Sequence, residues 1–280
     1  MLAELKNDLR ASINHEKAAF FPRFFKAGPG QYAEGDKFLG ITVPEQRKIA
    51  KKYKDLPLKS IESLIQSPWH EERLTGLFIL IQHFLRADEP GKKEIYEFYI
   101  THTKHINNWD LVDSSAGYIV GGYLADKPEK MTVLRGLAGS ELLWDRRIAM
   151  IATLAYIVKG QANEALEIAE LLLHDKHDSI QKAVGWMLRE VGKRCHDDRC
   201  PARIAVLRPP VRVQRNNHTS QLRSSAAPCA ASPENDLRCT RKILVNFLAR
   251  HYKTMPRTAL RYAIEHFDAP TRKRYLLGEI

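Results

Sequence analysis

The sequence predicts an all-α chain, a HEAT-like helical repeat solenoid with a concave basic face. Three observations carry that prediction. Apolar residues recur at three- and four-residue steps along most of the 280 residues, and strand-like alternation is nearly absent. Short polar joints carrying Pro, Gly or Asp separate the periodic stretches, which favours antiparallel helix pairs. Helix starts also return at spacings close to a HEAT period. A compact helical bundle of another topology is the alternative architecture.

The elements follow in order. The first residues, MLAELKNDLRASINHEK, are charged throughout and lack an apolar h-region, so no secretory signal is expected. Trp69-His70-Glu71-Glu72-Arg73 opens a long helix in which Leu74, Leu77, Phe78, Ile81 and Leu85 form one buried face. Trp109-Asp110-Leu111-Val112-Asp113 opens the next, and Trp144-Asp145-Arg146-Arg147 a third, whose buried face is Ile148, Ile151, Ala152, Ala155 and Tyr156. Ala165, Ile168, Ala169 and Leu172 repeat the pattern, and His177-Asp178-Ser179-Ile180 opens a fourth unit. Polar or acidic residues at these starts suit the positive end of the helix dipole. The joints are Asp88-Glu89-Pro90-Gly91, Asp126-Lys127-Pro128 and Lys159-Gly160-Gln161.

Residues 196–240 break this order. The segment holds seven Arg and no Lys, five of the fourteen prolines and no helical period, the composition of a flexible insert. The chain therefore divides into repeats with the candidate active site at 1–195, the insert at 196–240 and a terminal helical repeat at 241–280. Cys195, Cys200, Cys229 and Cys239 lie in or beside the insert without zinc-finger spacing, so they are read as free thiols and no metal is expected. Asn217-His218-Thr219 matches a glycosylation sequon, read as coincidence in a chain without a secretion signal.

Charge narrows the function classes. A net charge of +11 and a pI near 9.5 point to a polyanionic partner, nucleic acid first among them. The insert contributes +3 of that, so the helical remainder is basic by itself. No run approaches the roughly 18 to 20 apolar residues of a membrane-spanning helix. A cytoplasmic monomer without membrane contact is expected.

Asn107-Asn108-Trp109-Asp110-Leu111-Val112-Asp113 is the richest candidate site. Asn108 is read as the N-cap, and Trp109 and Asp113 then sit one turn apart on one face. An indole face beside a carboxylate suits a cation. Taken alone, the pair reads more readily as a core tryptophan and an ordinary first-turn carboxylate that complements the dipole. Arg146 and Arg147 oppose the dipole at their helix start, so another benefit is expected of them, and a phosphate contact supplies one. Gln181-Lys182-Ala183-Val184-Gly185-Trp186-Met187-Leu188-Arg189 sets an aromatic, a close-approach glycine and basic residues together, as a DNA-receiving groove would require.

Five strings carry a family resemblance: Phe38-Leu39-Gly40-Ile41, the Asn-Trp-Asp-Leu-Val-Asp site, Trp144-Asp145-Arg146-Arg147-Ile148-Ala149, His177-Asp178 through Glu190, and Met255-Pro256-Arg257-Thr258-Ala259-Leu260-Arg261-Tyr262-Ala263. Together they resemble the AlkD-like DNA alkylation repair glycosylases, over residues 15 to 195 and 241 to 277. The resemblance implies a HEAT-like solenoid that holds duplex DNA and removes cationic N3- and N7-alkylated purines without flipping the base into a pocket. It implies Asp113 as the catalytic carboxylate, and Trp109 and Trp186 as aromatics flanking the lesion's sugar and backbone. Arg147 and Arg189 match basic positions near the DNA backbone; Arg146, Lys182 and Arg257 complete the expected DNA-binding set. No cofactor is implied. Gly117 stands where many relatives carry Pro, a departure expected on the outer part of its helix, and the insert is the larger departure.

The chemistry fits a single carboxylate. An alkylated purine is already cationic and leaves as a neutral base, so no general acid is needed, unlike most glycoside hydrolases. Asp113 would stabilise the oxocarbenium character left on the sugar. The alternatives are a non-catalytic repeat protein that binds distorted DNA and a scaffold that takes an acidic peptide. Asp113 argues against the first, and salt-sensitive DNA binding separates the second.

Overall fold

The computed structural model describes residues 1–193 and 240–280. The insert up to residue 239, the four cysteines and the Asn217 sequon lie outside the described residues, while Thr240 opens a helix. Among the described residues every regular element is helical, apart from a lone bridge between Lys37 and Trp69. None of their helices is long and apolar enough to cross a membrane.

The chain opens with α1 (Leu2–Ala11) and α2 (His15–Phe24), the latter capped by the Asn14 side chain on the Lys17 N–H at 2.9 Å. After a long connection come α3 (Val43–Lys52), α4 (Leu58–Ile65), α5 (His70–Arg86) and α6 (Glu89–Thr101). Thr42 and Glu45 form a capping box on α3, and Asp88 caps α6 through the Gly91 N–H. Pro90 and Gly91, expected in a joint, thus belong to the first turn of α6, where proline's missing N–H costs nothing. Then follow α7 (Trp109–Ala116), a π turn over Gly117–Gly121 and α8 (Gly122–Leu124). The series continues with α9 (Lys130–Ala138), α10 (Leu143–Ala152), α11 (Leu154–Ile157), α12 (Asn163–Leu171) and α13 (Asp178–Lys193). It ends with α14 (Thr240–His251), α15 (Arg257–Ala263) and α16 (Ala269–Leu277).

Two layers result. Helices α5, α7, α10, α13 and α15 form one, each packed on the next; α4 and α6 back α5, α9 backs α10, and α12 and α14 back α13. The fold is a helical repeat solenoid, as the periodicity predicted. The four helix starts read from the sequence are those of α5, α7, α10 and α13, which all belong to the first layer.

Three expectations change. Helix α5 is buried on every side from His70 to Ile81 because α3, α4, α6 and α7 surround it, whereas Leu85, assigned to its buried face, is half exposed beyond them. Gly117 is buried and not on an outer surface; a Cβ there would meet only ordinary contacts. Gly185 does not face a groove. A Cβ on it would lie 2.5 Å from the Ala259 carbonyl, so its bare backbone is what lets α13 approach α15.

The Phe38–Ile41 string also acquires a physical reason. The backbone N–H groups of Leu39, Gly40 and Ile41 converge on the buried Glu71 carboxylate at 2.9, 2.8 and 3.3 Å. Gly40 sits at φ +78, where a Cβ would lie 2.1 Å from the Asn14 carbonyl, so only glycine fits.

Candidate active site

The Asn108 side chain accepts the Trp109 N–H at 2.8 Å and starts α7, so Trp109 and Asp113 fall on one helix face as expected. Trp109 is held in place by stacking on Phe25, with centroids 5.6 Å apart and planes 24° from parallel, and by the edge of Phe24. Trp109 and Phe24 line a cleft of about 610 Å³, and the same cleft is lined by Asp113, Arg147, Lys182, Trp186 and Arg189. Six of the eight site residues expected from the sequence therefore share one cavity. Arg257 joins Lys182 and Arg189 in an adjoining cleft of about 470 Å³, and Arg146 lines neither.

The floor is an ion pair. Arg147 donates from Nε to Asp113 Oδ1 at 2.9 Å and from a terminal nitrogen to Oδ2 at 2.8 Å, a two-point fork. Its remaining terminal nitrogen reaches the Ser179 hydroxyl at 3.0 Å and the Ser179 carbonyl. The side chains of Arg147 and Asp113 are 6% and 17% exposed. Burial raises the Asp113 carboxyl above its ordinary value, while the Arg147 charge and hydrogen bonds oppose that rise.

Two arginines expected to contact DNA have protein partners here. Arg147 is held by Asp113 and Ser179, contacts that orient the carboxylate. Arg146 pairs with Asp175 at 2.7 Å and donates to the Ser140 and Glu141 carbonyls, contacts that offset its place at the positive end of the helix. The other cations are less committed. Lys182 pairs with Asp178 at 2.6 Å across one exposed helix turn, and Arg189 with Glu265 of the terminal repeat. Arg257 donates to the Leu276 carbonyl at 2.5 Å.

Behind Trp109 lies a buried charge cluster. His70 bridges Asp110 at 2.8 Å and Asp36 at 3.3 Å, and Asp36 also binds Arg73. Burial alone would lower the His70 pKa, but the Asp110 charge and the hydrogen bonds to both carboxylates raise it to about 9. His70 is therefore an imidazolium at neutral pH.

Several cleft residues were missed by sequence reasoning. Lys26, Tyr32, His177 and Tyr262 line the first cavity, and Arg261 the second. Burial, first among the causes, lowers the His177 imidazole and leaves it neutral. Gly28-Pro29-Gly30 is a turn signal that could have drawn attention to the loop carrying Tyr32, but nothing local shows where that loop lands. Arg257 and Arg261, four apart, share a helix face that a search for basic i, i+4 pairs would have found.

The family model described as "DNA alkylation repair enzyme" matches residues 5–203. A comparison with curated proteins gives no match. Among solved structures, one described as a predicted DNA alkylation repair enzyme from Enterococcus faecalis superposes with a TM-score of 0.60 at 16% identity, covering 92% of this chain and 98% of that one. At that identity the likeness speaks for the fold.

Proposed function

The chain belongs to the DNA alkylation repair enzyme family, and from that premise we propose that it is a DNA glycosylase excising cationic N3- and N7-alkylated purines from duplex DNA without base flipping. One observation carries the reading: a carboxylate, Asp113, held by a two-point arginine contact on the floor of a cleft flanked by Trp109 and Trp186. As the C1′–N bond of the lesion breaks, its electron pair leaves with the base, which becomes neutral. Positive charge moves to the deoxyribose. Asp113 stabilises that charge from a fixed position, which avoids reorganisation at the moment of reaction. Its low exposure strengthens the field it exerts. Water then adds to C1′ and releases a proton, with Asp113 orienting the attack. The two indole faces give the sugar CH–π and cation–π contacts.

Arg147 is the positioning residue of this scheme. Lys182, Arg189 and Arg257, with Arg261 beside them, are the cations that would exchange their protein partners for DNA phosphates. Affinity on this reading falls steeply with salt. The second reading, a non-catalytic protein that binds damaged or distorted DNA, is favoured by the engagement of both Asp113 oxygens with Arg147.

Release of 7-methylguanine and 3-methyladenine from methylated duplex DNA decides between them. Asp113→Asn keeps the side chain's shape and is expected to slow release by on the order of 10²-fold or more while DNA binding persists. Release by that variant at the wild-type rate would remove Asp113 from the chemistry. DNA binding without release by the wild-type protein would favour the second reading.

A further inference from the structure

Helix α2 ends in a turn that ordinarily uses glycine. The Phe25 N–H closes on the Phe21 carbonyl at 2.8 Å, and the Ala27 N–H reaches back to the Pro22 carbonyl at 2.8 Å, a closure whose intervening residue turns left-handed. That residue is Lys26, at φ +58, and among the described residues it is the one non-glycine with a positive φ. Its Cβ crowds the backbone there, a strain that glycine at the same place would not carry. Glycine is close by in sequence, at Gly28 and Gly30, yet not at the position that favours it. The conformation is also fixed from outside, because the Lys26 carbonyl accepts the Ala33 N–H at 3.1 Å. None of these backbone contacts uses the lysine side chain. Strain held in place by its surroundings is characteristic of functional positions.

Lys26 is exposed and lines the first cleft together with Trp109 and Asp113. The other cations of that cleft are paired: Arg147 with Asp113, Lys182 with Asp178 and Arg189 with Glu265. Burial keeps His177 neutral. Among the described residues no carboxylate pairs with Lys26, so its ammonium is the surplus positive charge of the cleft.

We propose that Lys26 is a phosphate-binding residue for the damaged strand: its ammonium takes the backbone phosphate next to the lesion and seats the adjoining sugar over Asp113. It rests on the glycosylase reading above, and it joins to the cations of α13 and α15 one from the N-terminal part of the chain. The contact is to the backbone, so the lesion stays in the duplex. The Arg147–Asp113 pair is neutral as a whole and gives an anionic strand little net attraction. An unpaired ammonium in the same cleft breaks no ion pair in order to hold a phosphate. The charge also accounts for the strain, since glycine would relax the turn and remove the cation.

The test compares wild type, Lys26→Gly and Lys26→Arg on a duplex with a single 7-methylguanine. Lys26→Gly is expected to melt at or above the wild-type temperature, which separates its loss of function from misfolding. Its log–log salt slope of binding should fall by about 1, and its single-turnover release at saturating protein by on the order of ten-fold. Lys26→Arg should restore both in part. Duplexes carrying one uncharged methylphosphonate at successive positions of the damaged strand locate the contact. A neutral linkage next to the lesion should weaken wild-type binding and leave binding by Lys26→Gly unaffected. An unchanged slope, or linkages that weaken both proteins equally, would overturn the proposal. If wild type releases no base while the slope and linkage results hold, the glycosylase reading fails and Lys26 stands as a phosphate contact of a DNA-binding protein. Release by wild type and Lys26→Gly at equal rates, with equal slopes, removes Lys26 alone.

Discussion

Asp113 has two oxygens, and Arg147 delivers one N–H to each while its third nitrogen is anchored on Ser179. An ammonium cannot reproduce that fork, so Arg147→Lys keeps the charge and loses the alignment. The expected outcome is a fall in base release of about ten-fold or more with no change in the salt dependence of DNA binding, since the guanidinium faces a carboxylate. Arg261→Ala is the contrast: an exposed cation of the second cleft, whose loss should reduce the log–log salt slope by about 1. Titrations of binding against salt for the two variants check both statements; a reduced slope for Arg147→Lys would return that residue to the phosphates. The Trp109–Asp113 pairing was legible in the sequence because it is a one-turn spacing behind a recognisable cap. The Asp113–Arg147 pairing was not, because its partners are 34 residues apart and on different helices.

Individual helices are tied by their first turns. The start of α5 supplies His70, which binds Asp36 of the preceding loop and Asp110 in the first turn of α7. Its pKa rises from the ordinary 6.5 to about 9, so the folded state holds the proton more tightly than the unfolded chain. That stabilisation is complete below pH 6.5 and is lost as pH climbs through 9, on the order of 3 kcal/mol in all. Urea unfolding at intervals between pH 6 and 10 should follow this decline, and an NMR titration placing the imidazole near 6.5 would contradict it. Between α13 and α15 the tie is Gly185. Alanine there would force its Cβ to within 2.5 Å of the Ala259 carbonyl and the Tyr262 Cβ, at a cost of about 1–3 kcal/mol visible as a lowered melting temperature. At this scale the sequence announced helix starts well, because caps and Trp residues stand at them, and packing partners poorly. Periodicity marked Leu85 as core although no neighbouring helix reaches it, and placed a glycine without saying which helix it admits. The loop bearing Tyr32 was readable only as a turn, since its landing point lies more than a hundred residues away in Trp144 and His177.

Across the described residues the repeat series continues past α13 into α14 and α15. Subtracting the 196–240 segment brings the spacing from α13 to α15 back to one period of the series, consistent with a segment inserted between two consecutive repeats. The terminal helices pack on α13, with Ala259 and Tyr262 against Gly185 and Leu244 and His266 against Gly192, and a solenoid end left bare exposes such a surface to water. A chain ended at Lys193 is therefore expected to melt earlier than the full protein and to aggregate on heating, as light scattering would record; equal melting of the two would mean that the last repeat is dispensable. The second cleft has a consequence of its own. Lys182 and Arg189 stand on one side of the insert in sequence, and Arg257 and Arg261 on the other, yet all four border one cavity. A polyanion lying there engages only the state in which both parts of the chain are docked. Its binding free energy would then be added to the docking equilibrium of the terminal repeat, so on the proposed function substrate would brace that repeat, and the grip on DNA and the docking of the repeat would become a single thermodynamic quantity.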